Sequence, residues 1–334
     1  MSDRILMGHG SGGRMMHELI SSHFAPAFGM EGMGDAAVLE LREKGRLAVS
    51  TDSYVVSPLF FPGGNIGELA VNGTVNDLAM VGAEPLYLTC GLIIEEGMLI
   101  ADLERIISSM ARAAEEAGVR IVAGDTKVVD KGKGDGLFIN TAGVGVVPEG
   151  VSLSPKKIQE GDVIIISGEM GRHGMAVMAE RSGLSFDPPL MSDTTALNGL
   201  VRVMVKAAGA GLRAMRDPTR GGVATTLKEF AMESGLAIEM DEERLPVPPG
   251  VRGACDLLGL DPLFVANEGL LLAVVSDDVS QYLLTEMKAH PLGSGACVIG
   301  RALSAPAGKV LLRTSIGGTR IVDMLEGGQL PRIC

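Results

Sequence analysis

The chain has 334 residues, 46% of them hydrophobic, a mean hydropathy of +0.28 and a formal net charge of −12. That length exceeds one comfortable core and favours two domains, while the acidic balance argues against a nucleic-acid binder, which needs a basic surface. No run approaches the ~18 apolar residues of a membrane span, and "MSDRILMGHGSGG" turns to glycine before a signal-peptide core forms.

Four cysteines, Cys90, Cys255, Cys297 and Cys334, lie far apart without a C-x-x-C pair. This disfavours zinc or thioredoxin-type sites and fits a reducing cytoplasm. With no Trp and three Tyr, the core must be built from Val, Leu, Ile, Ala and Met.

Near the N-terminus, "GHGSGGR" (8–14) has the spacing Gly8-x-Gly10-x-x-Gly13. Too few residues precede it for the strand that a dinucleotide fold needs, and no Gly-Lys-Ser/Thr follows to make a Walker loop. A glycine loop that opens the helix "RMMHELISSHF" still presents backbone N–H groups suited to phosphate oxygens. Next, "RLAVSTDSYVV" (46–56) alternates and predicts a strand running into Thr51 and Asp52. "NIGELAVNGTVNDLAMVGA" (65–83) predicts a helix capped by Asn65 and stopped at Gly82.

A strand over 86–94, a long amphipathic helix over 98–118 and strands at "VRIVAGDT" and 136–147 complete the first half. The Pro/Gly stretch at 147–162 marks a boundary. Beyond it, "VIIIS" is a strand. Helices are expected at 173–182, 194–207, 221–234 and 278–288, and strands near 212–216, 236–240, 270–275, 296–302 and 309–313. The expected division is 1–150, 151–326 and a tail, 327–334.

Five aspartates sit beside small residues where an apolar run ends: Asp35, Asp52, Asp77, Asp125 and Asp217. Carboxylates converging on one point repel unless a cation lies between them, and Mg²⁺ prefers such hard ligands shared with phosphates. Asp is equally at home in ordinary caps and turns, so convergence is an expectation for the structure to decide. "DPTRGGV" (217–223) places Arg220, Gly221 and Gly222 ahead of a helix, a combination suited to polyphosphate.

Taken together, "HGSGG", "STDSYVVSPLFFPGGNIGELAVNGTVNDLAM", "GDTKVV", "DPTRGGV", "FVANEG" and the final "PRIC" closely resemble the carbamoyl dehydratases of hydrogenase maturation. These belong to an ATP-using superfamily with aminoimidazole ribonucleotide synthetase, selenophosphate synthetase and thiamine monophosphate kinase. The resemblance implies an α/β architecture of α+β type: a two-domain aminoimidazole ribonucleotide synthetase-like fold with mixed sheets flanked by helices.

It also implies that a partner carbamoyltransferase loads Cys334, that ATP with Mg²⁺ dehydrates the thiocarbamate to a thiocyanate, and that the cyano group passes to an iron-carrying scaffold. A homodimer through the first domain is implied as well. ATP contacts are expected at Gly10, Gly12, Gly13, Asp52, Asn76 and Asp77, and at Thr126, Arg220, Gly221 and Gly222. Metal ligands are expected among Asp35, Asp52, Asp77, Asp125 and Asp217. "GMGDAA" carries a single aspartate where kinase relatives have two, so their ligand set does not transfer directly.

For the chemistry, Glu268 in "FVANEG" is expected to act as the base, Asn267 to orient the substrate and Lys127 to neutralise phosphate or amide oxygen. Gly327 and Gly328 supply a hinge, and eight residues from Gly327 span at most roughly 26–29 Å. Other readings are a small-molecule kinase or synthetase of the same superfamily, and a non-enzymatic thiol carrier.

Overall fold

Asn65 starts the helix on which the first half is built: its Oδ1 accepts the Gly67 N–H at 2.8 Å, a cap typically worth ~1 kcal/mol. The structure is a computed structural model and describes residues 3–10, 14–29 and 44–325. Asp35, Gly12, Gly13, Cys334 and the expected tail lie outside the described residues.

The N-terminal segment folds as α1 (Arg14–Leu19), a π-helical turn (Ile20–Phe24) and α2 (Ala25–Phe28), where one continuous helix was expected. Then come β1 (Gly45–Tyr54), the short β2 (Phe60–Phe61) and β3 (Gly64–Asn65), and α3 (Ile66–Met80). β4 (Glu84–Glu95), α4 (Ile100–Ala117), β5 (Arg120–Val129) and β6 (Leu137–Pro148) follow. The sheet order is β1-β6-β4-β5, antiparallel except for the β4–β5 pair that α4 connects.

α3 and α4 cover one face of this sheet, and α3 is buried nearly all round. The opposite face exposes Leu47, Val49 and Ile93. Residues of β1 alternate accordingly: Ser50, Asp52 and Tyr54 point toward α3, whereas Thr51 and Ser53 point away.

The second half contains β7 (Val163–Ile166), α5 (Arg172–Arg181), α6 (Asn198–Ala208), β8 (Leu212–Arg216), α7 (Gly222–Ser234) and β9 (Ala237–Asp241). α8 (Pro249–Leu258), β10 (Leu272–Val275), α9 (Asp277–Ala289), β11 (Cys297–Leu303), β12 (Val310–Arg313) and β13 (Thr319–Val322) complete it. Seven strands form a mixed sheet in the order β13-β12-β9-β11-β7-β10-β8. β7 reads as uninterrupted Val-Ile-Ile-Ile because both faces are covered. Ile164 and Ile166 pack with Leu227 and Phe230 of α7, while Val163 and Ile165 pack with Met204 of α6 and Leu283 of α9.

Three differences from the sequence reading matter. The helix expected from 194 begins at Asn198, because residues 191–197 are drawn into hydrogen bonds with the first half. α8 and β13 were not foreseen: α8 starts within the stretch Pro248-Pro249-Gly250 and β13 follows a Gly-Gly turn, both of which read as breakers. Among the described residues, no helix is long and apolar enough to cross a membrane.

Candidate active site

The site forms where α3 meets the second sheet. On β1, Ser50 Oγ donates to Asp77 Oδ2 at 2.7 Å, joining the strand to α3. Two residues beyond Asp52, the Tyr54 hydroxyl is wholly buried against Gly73 of α3, with no room for a Cβ there. Thr74 Oγ1 lies near it and makes its 2.6 Å hydrogen bond with Thr141 Oγ1, and among the described residues no group meets Tyr54 Oη with hydrogen-bond geometry.

Opposite stands the loop before α7. Gly221 and Gly222 have φ of 72° and 61°, the left-handed region where a Cβ is strained. A Cβ on Gly222 would also meet the carbonyl oxygens of Leu263 and Val265 at 2.6 and 2.7 Å. The loop therefore turns tightly and delivers the N-terminal end of a thirteen-residue helix into the cleft, with the Gly222 N–H donating to Thr219 O at 3.3 Å. Arg220 reaches across the cleft, its Nη2 2.8 Å from Asp52 Oδ1.

The turn before β10 supplies the third wall. Asn267, expected to orient a substrate, is fully buried, and both Nδ2–H donors are engaged by the carbonyls of Pro218 (3.0 Å) and Val265 (2.9 Å). Its Oδ1 accepts the Gly171 N–H at 2.6 Å. Asn267 thus holds the Asp217-Pro218 loop in place. Asn76 is similarly committed: Nδ2 donates to Thr195 O (3.0 Å) and Glu268 O (3.2 Å), and Oδ1 accepts the Leu197 N–H (2.7 Å).

Glu268 itself is 3% exposed, and among the described residues its Oε1 has no hydrogen-bond partner. Burial, then the charges of Asp217 and Asp193 and those of Asp52 and Asp77, raise its carboxyl well above the usual range. Asp217 is pushed up to about 7 by burial and by Asp77. The residue is half-buried. Asp77 is raised too, first by burial and then by Asp52, against the Ser50 hydrogen bond.

Asp52, Asp77, Asp217 and Glu268 are therefore one electrostatic unit. Among the described residues no group of three or more acidic, His or Cys side chains is placed to hold a metal ion by itself. Mutually repelling carboxylates gathered this way suit a hard divalent cation only where phosphate oxygens supply the rest of its shell.

Asp125 does not join this unit within the chain, a correction to the expected convergence of the aspartates. It sits on β5, at the opposite edge of the sheet from β1, and its carboxylate bonds Lys127 Nζ at 3.0 Å and the Thr126 N–H at 2.9 Å. The Lys127 bond holds Asp125 below its usual range. Lys127 and Asp125 are exposed, and Thr126 is buried. The reason is strand order: β6 and β4 intervene, so strand spacing alone separates the edges by roughly 14 Å.

Gly10 packs against the Val128 backbone on that same edge strand. Two cavities are formed by other residues: one of about 70 Å³ between α1, α2 and the sheet, with Cys90 in its wall, and one of about 560 Å³ beside the linker. Neither is lined by the carboxylate unit. Cys90 is buried, which pushes its thiol up to about 12.

Sequence reading missed Tyr54, Asp193 and the bridging role of residues 191–197. "SDTT" at 192–195 carries a turn-type signal, whereas nothing in the sequence marks the Tyr54 hydroxyl as unpartnered.

Residues 33–147 match the family "AIR synthase related protein, N-terminal domain" and 159–313 its C-terminal domain. The chain is 56% identical to a carbamoyl dehydratase HypE of Bradyrhizobium diazoefficiens, over 98% of this chain and 95% of the relative. Among solved structures, hydrogenase maturation protein HypE in complex with ATP superposes with a TM-score of 0.94 at 46% identity, covering 98% and 99% of the two chains. A structure of a HypE–HypF complex matches with a TM-score of 0.81 at 48% identity, covering 94% and 100%. With identity above half along almost its whole length, the chain belongs to the HypE family of carbamoyl dehydratases.

Proposed function

We propose that the chain uses ATP and Mg²⁺ to dehydrate an S-carbamoyl group on its own Cys334 to an S-cyanate, the source of cyanide ligands for [NiFe]-hydrogenase iron. The observation that carries this reading is Glu268 Oε1, buried and without a partner among the described residues, in a unit with Asp52, Asp77 and Asp217. A buried acceptor without a partner costs stability, and a substrate N–H is the partner this one lacks.

The α7 N-terminus, Arg220 and the amides of Gly221 and Gly222 bind the phosphates. Asp52, Asp77 and Asp217 are the residues that would hold the cation together with phosphate oxygens, and it would supply charge neutralisation to the transferred phosphoryl group. The carbamoyl oxygen attacks the γ-phosphorus and the bond to ADP breaks. The nitrogen then gives up two protons, the first to Glu268 and the second to the departing phosphate, as the carbon–oxygen bond breaks and leaves S–C≡N. A carboxylate of raised proton affinity suits the weakly acidic N–H.

Cys334 must travel to this point. The buried Lys228 holds Asp323 at 3.1 Å, so the chain beyond Leu325 starts from a fixed place. Nine residues from there reach at most roughly 30–32 Å.

The HypE–HypF complex supports a carbamoyltransferase as the partner that loads Cys334. The open sheet face with Leu47, Val49 and Ile93 suits a second copy of the chain, and an iron-carrying scaffold would take the cyano group. Intact mass of the carbamoylated protein, before and after Mg-ATP, tests the reading. Loss of one water from the fragment with Cys334 is expected. No loss, or full turnover of a free small substrate by a chain truncated after Leu330, overturns it.

A further inference from the structure

Glu268 is gripped by its backbone from two sides. Asp193 Oδ1 accepts the Glu268 N–H at 3.3 Å and Oδ2 accepts the Gly269 N–H at 3.2 Å, so one carboxylate spans two successive amides. On the other side Asn76 Nδ2 donates to Glu268 O, and the same amide group also holds Thr195 O and the Leu197 N–H. Asp193, Glu268, Asn76 and Thr195 thus close a ring. Asp77 of the carboxylate unit is the next residue to Asn76, so the ring joins the helix that carries a cation ligand to the turn that carries the base.

The segment 191–197 is pinned independently of Asp193. Ser192 N–H donates to Pro62 O at 2.8 Å, Ser192 Oγ bonds the buried His173 Nδ1 at 2.8 Å, and Asn72 Nδ2 reaches Thr194 Oγ1 at 3.4 Å. At position 269 the Asp193 carbonyl oxygen comes so close that any side chain would overlap it, which explains a glycine there. Packing of the segment onto the first half would therefore survive without the Asp193 carboxylate.

We infer that Asp193 is a positioning residue for the reaction: its carboxylate clamps the Glu268–Gly269 turn so that the Glu268 side chain faces the unit formed by Asp52, Asp77 and Asp217. Among the described residues Asp193 makes no salt bridge, and its charge is set beside a buried carboxyl. A simple turn anchor would not require that charge. It adds to the forces that make Glu268 proton-avid, after burial and Asp217. The inference rests on Glu268 acting as the base of the proposed dehydration, but the clamp can be read without any turnover.

Asp193→Ala and Asp193→Asn separate the possibilities. With Asp193→Ala, amide hydrogen exchange over residues 266–271 should quicken about tenfold or more while α3 stays protected. The turnover of carbamoylated protein should fall by about tenfold or more, with KM for ATP within about threefold of its original value. Asp193→Asn, which keeps one acceptor oxygen, should recover part of both and covers the case in which the alanine variant does not fold. Unchanged exchange at 266–271 overturns the clamp. Unchanged turnover, or KM for ATP rising in step with the loss, overturns the positioning role. If the unaltered protein sheds no water, the proposed function fails, while the exchange comparison still decides the clamp.

Discussion

Arg220 Nη2 stands 2.8 Å from Asp52 Oδ1, so a guanidinium from the second half closes the cleft over a carboxylate of the first. The arginine side chain is 73% exposed and the aspartate 29%. An ion pair this open contributes little to stability, typically under ~1 kcal/mol. Its consequence is for binding, since an incoming polyphosphate competes for the same guanidinium. Arg220→Ala should leave the thermal midpoint nearly unchanged and weaken ATP binding by about tenfold or more, as titration calorimetry would register. Unaltered affinity would remove Arg220 from the phosphate site.

Glu268→Gln replaces a proton-avid carboxyl with an amide of the same shape. Loss of a general base typically costs about 10²–10⁴-fold in rate. Turnover of the carbamoylated protein should fall by that order while ATP binding persists, and the substitution should not destabilise the fold, because it removes a charge-prone group from a buried position. Quantitative mass spectrometry on the Cys334 fragment reads the rate, and denaturant unfolding reads the stability.

The metal-free, nucleotide-free protein should lose stability as pH rises. The folded Asp217 carboxyl keeps its proton up to about 7, whereas an unfolded Asp releases it near ~3.9. Between those values the native state binds more protons, so unfolding becomes easier as pH increases through the window. Glu268 and Asp77 act in the same direction. Thermal midpoints measured in chelator from pH 5 to pH 8 should decline, and Asp217→Asn should flatten the decline. A midpoint that rose across this range would contradict the enclosed carboxyl unit.

Tyr54→Phe removes a buried hydroxyl that has no hydrogen-bond partner among the described residues. Removing an unsatisfied polar atom while keeping the ring should be neutral or stabilising, by up to about 1 kcal/mol. Equilibrium unfolding would show this. A loss of more than that would mean the hydroxyl is held by a group in solution and belongs to the polar machinery of the site.

Much of the architecture was legible along the chain because its signals are local. Asn65 as a cap, the 3.6-residue rhythm of α4 up to Gly118, and the all-apolar β7 each follow from a few neighbouring residues. The glycine and aspartate motifs are local signals of the same kind, which is why phosphate and cation chemistry could be expected from them.

What the chain order could not express is which of those residues meet. Asp52, Asp77, Asp217 and Glu268 come from four separate elements and converge, while Asp125, equally motif-like, lies across two intervening strands bonded to Lys127. The identity of the elements and the kind of chemistry were thus set by local sequence. The membership of the site, the bridging use of 191–197 and the unpartnered Glu268 oxygen were decided by strand order and by the packing of α3 against the second sheet. Those depend on contacts between residues distant along the chain, about which local propensity carries no information.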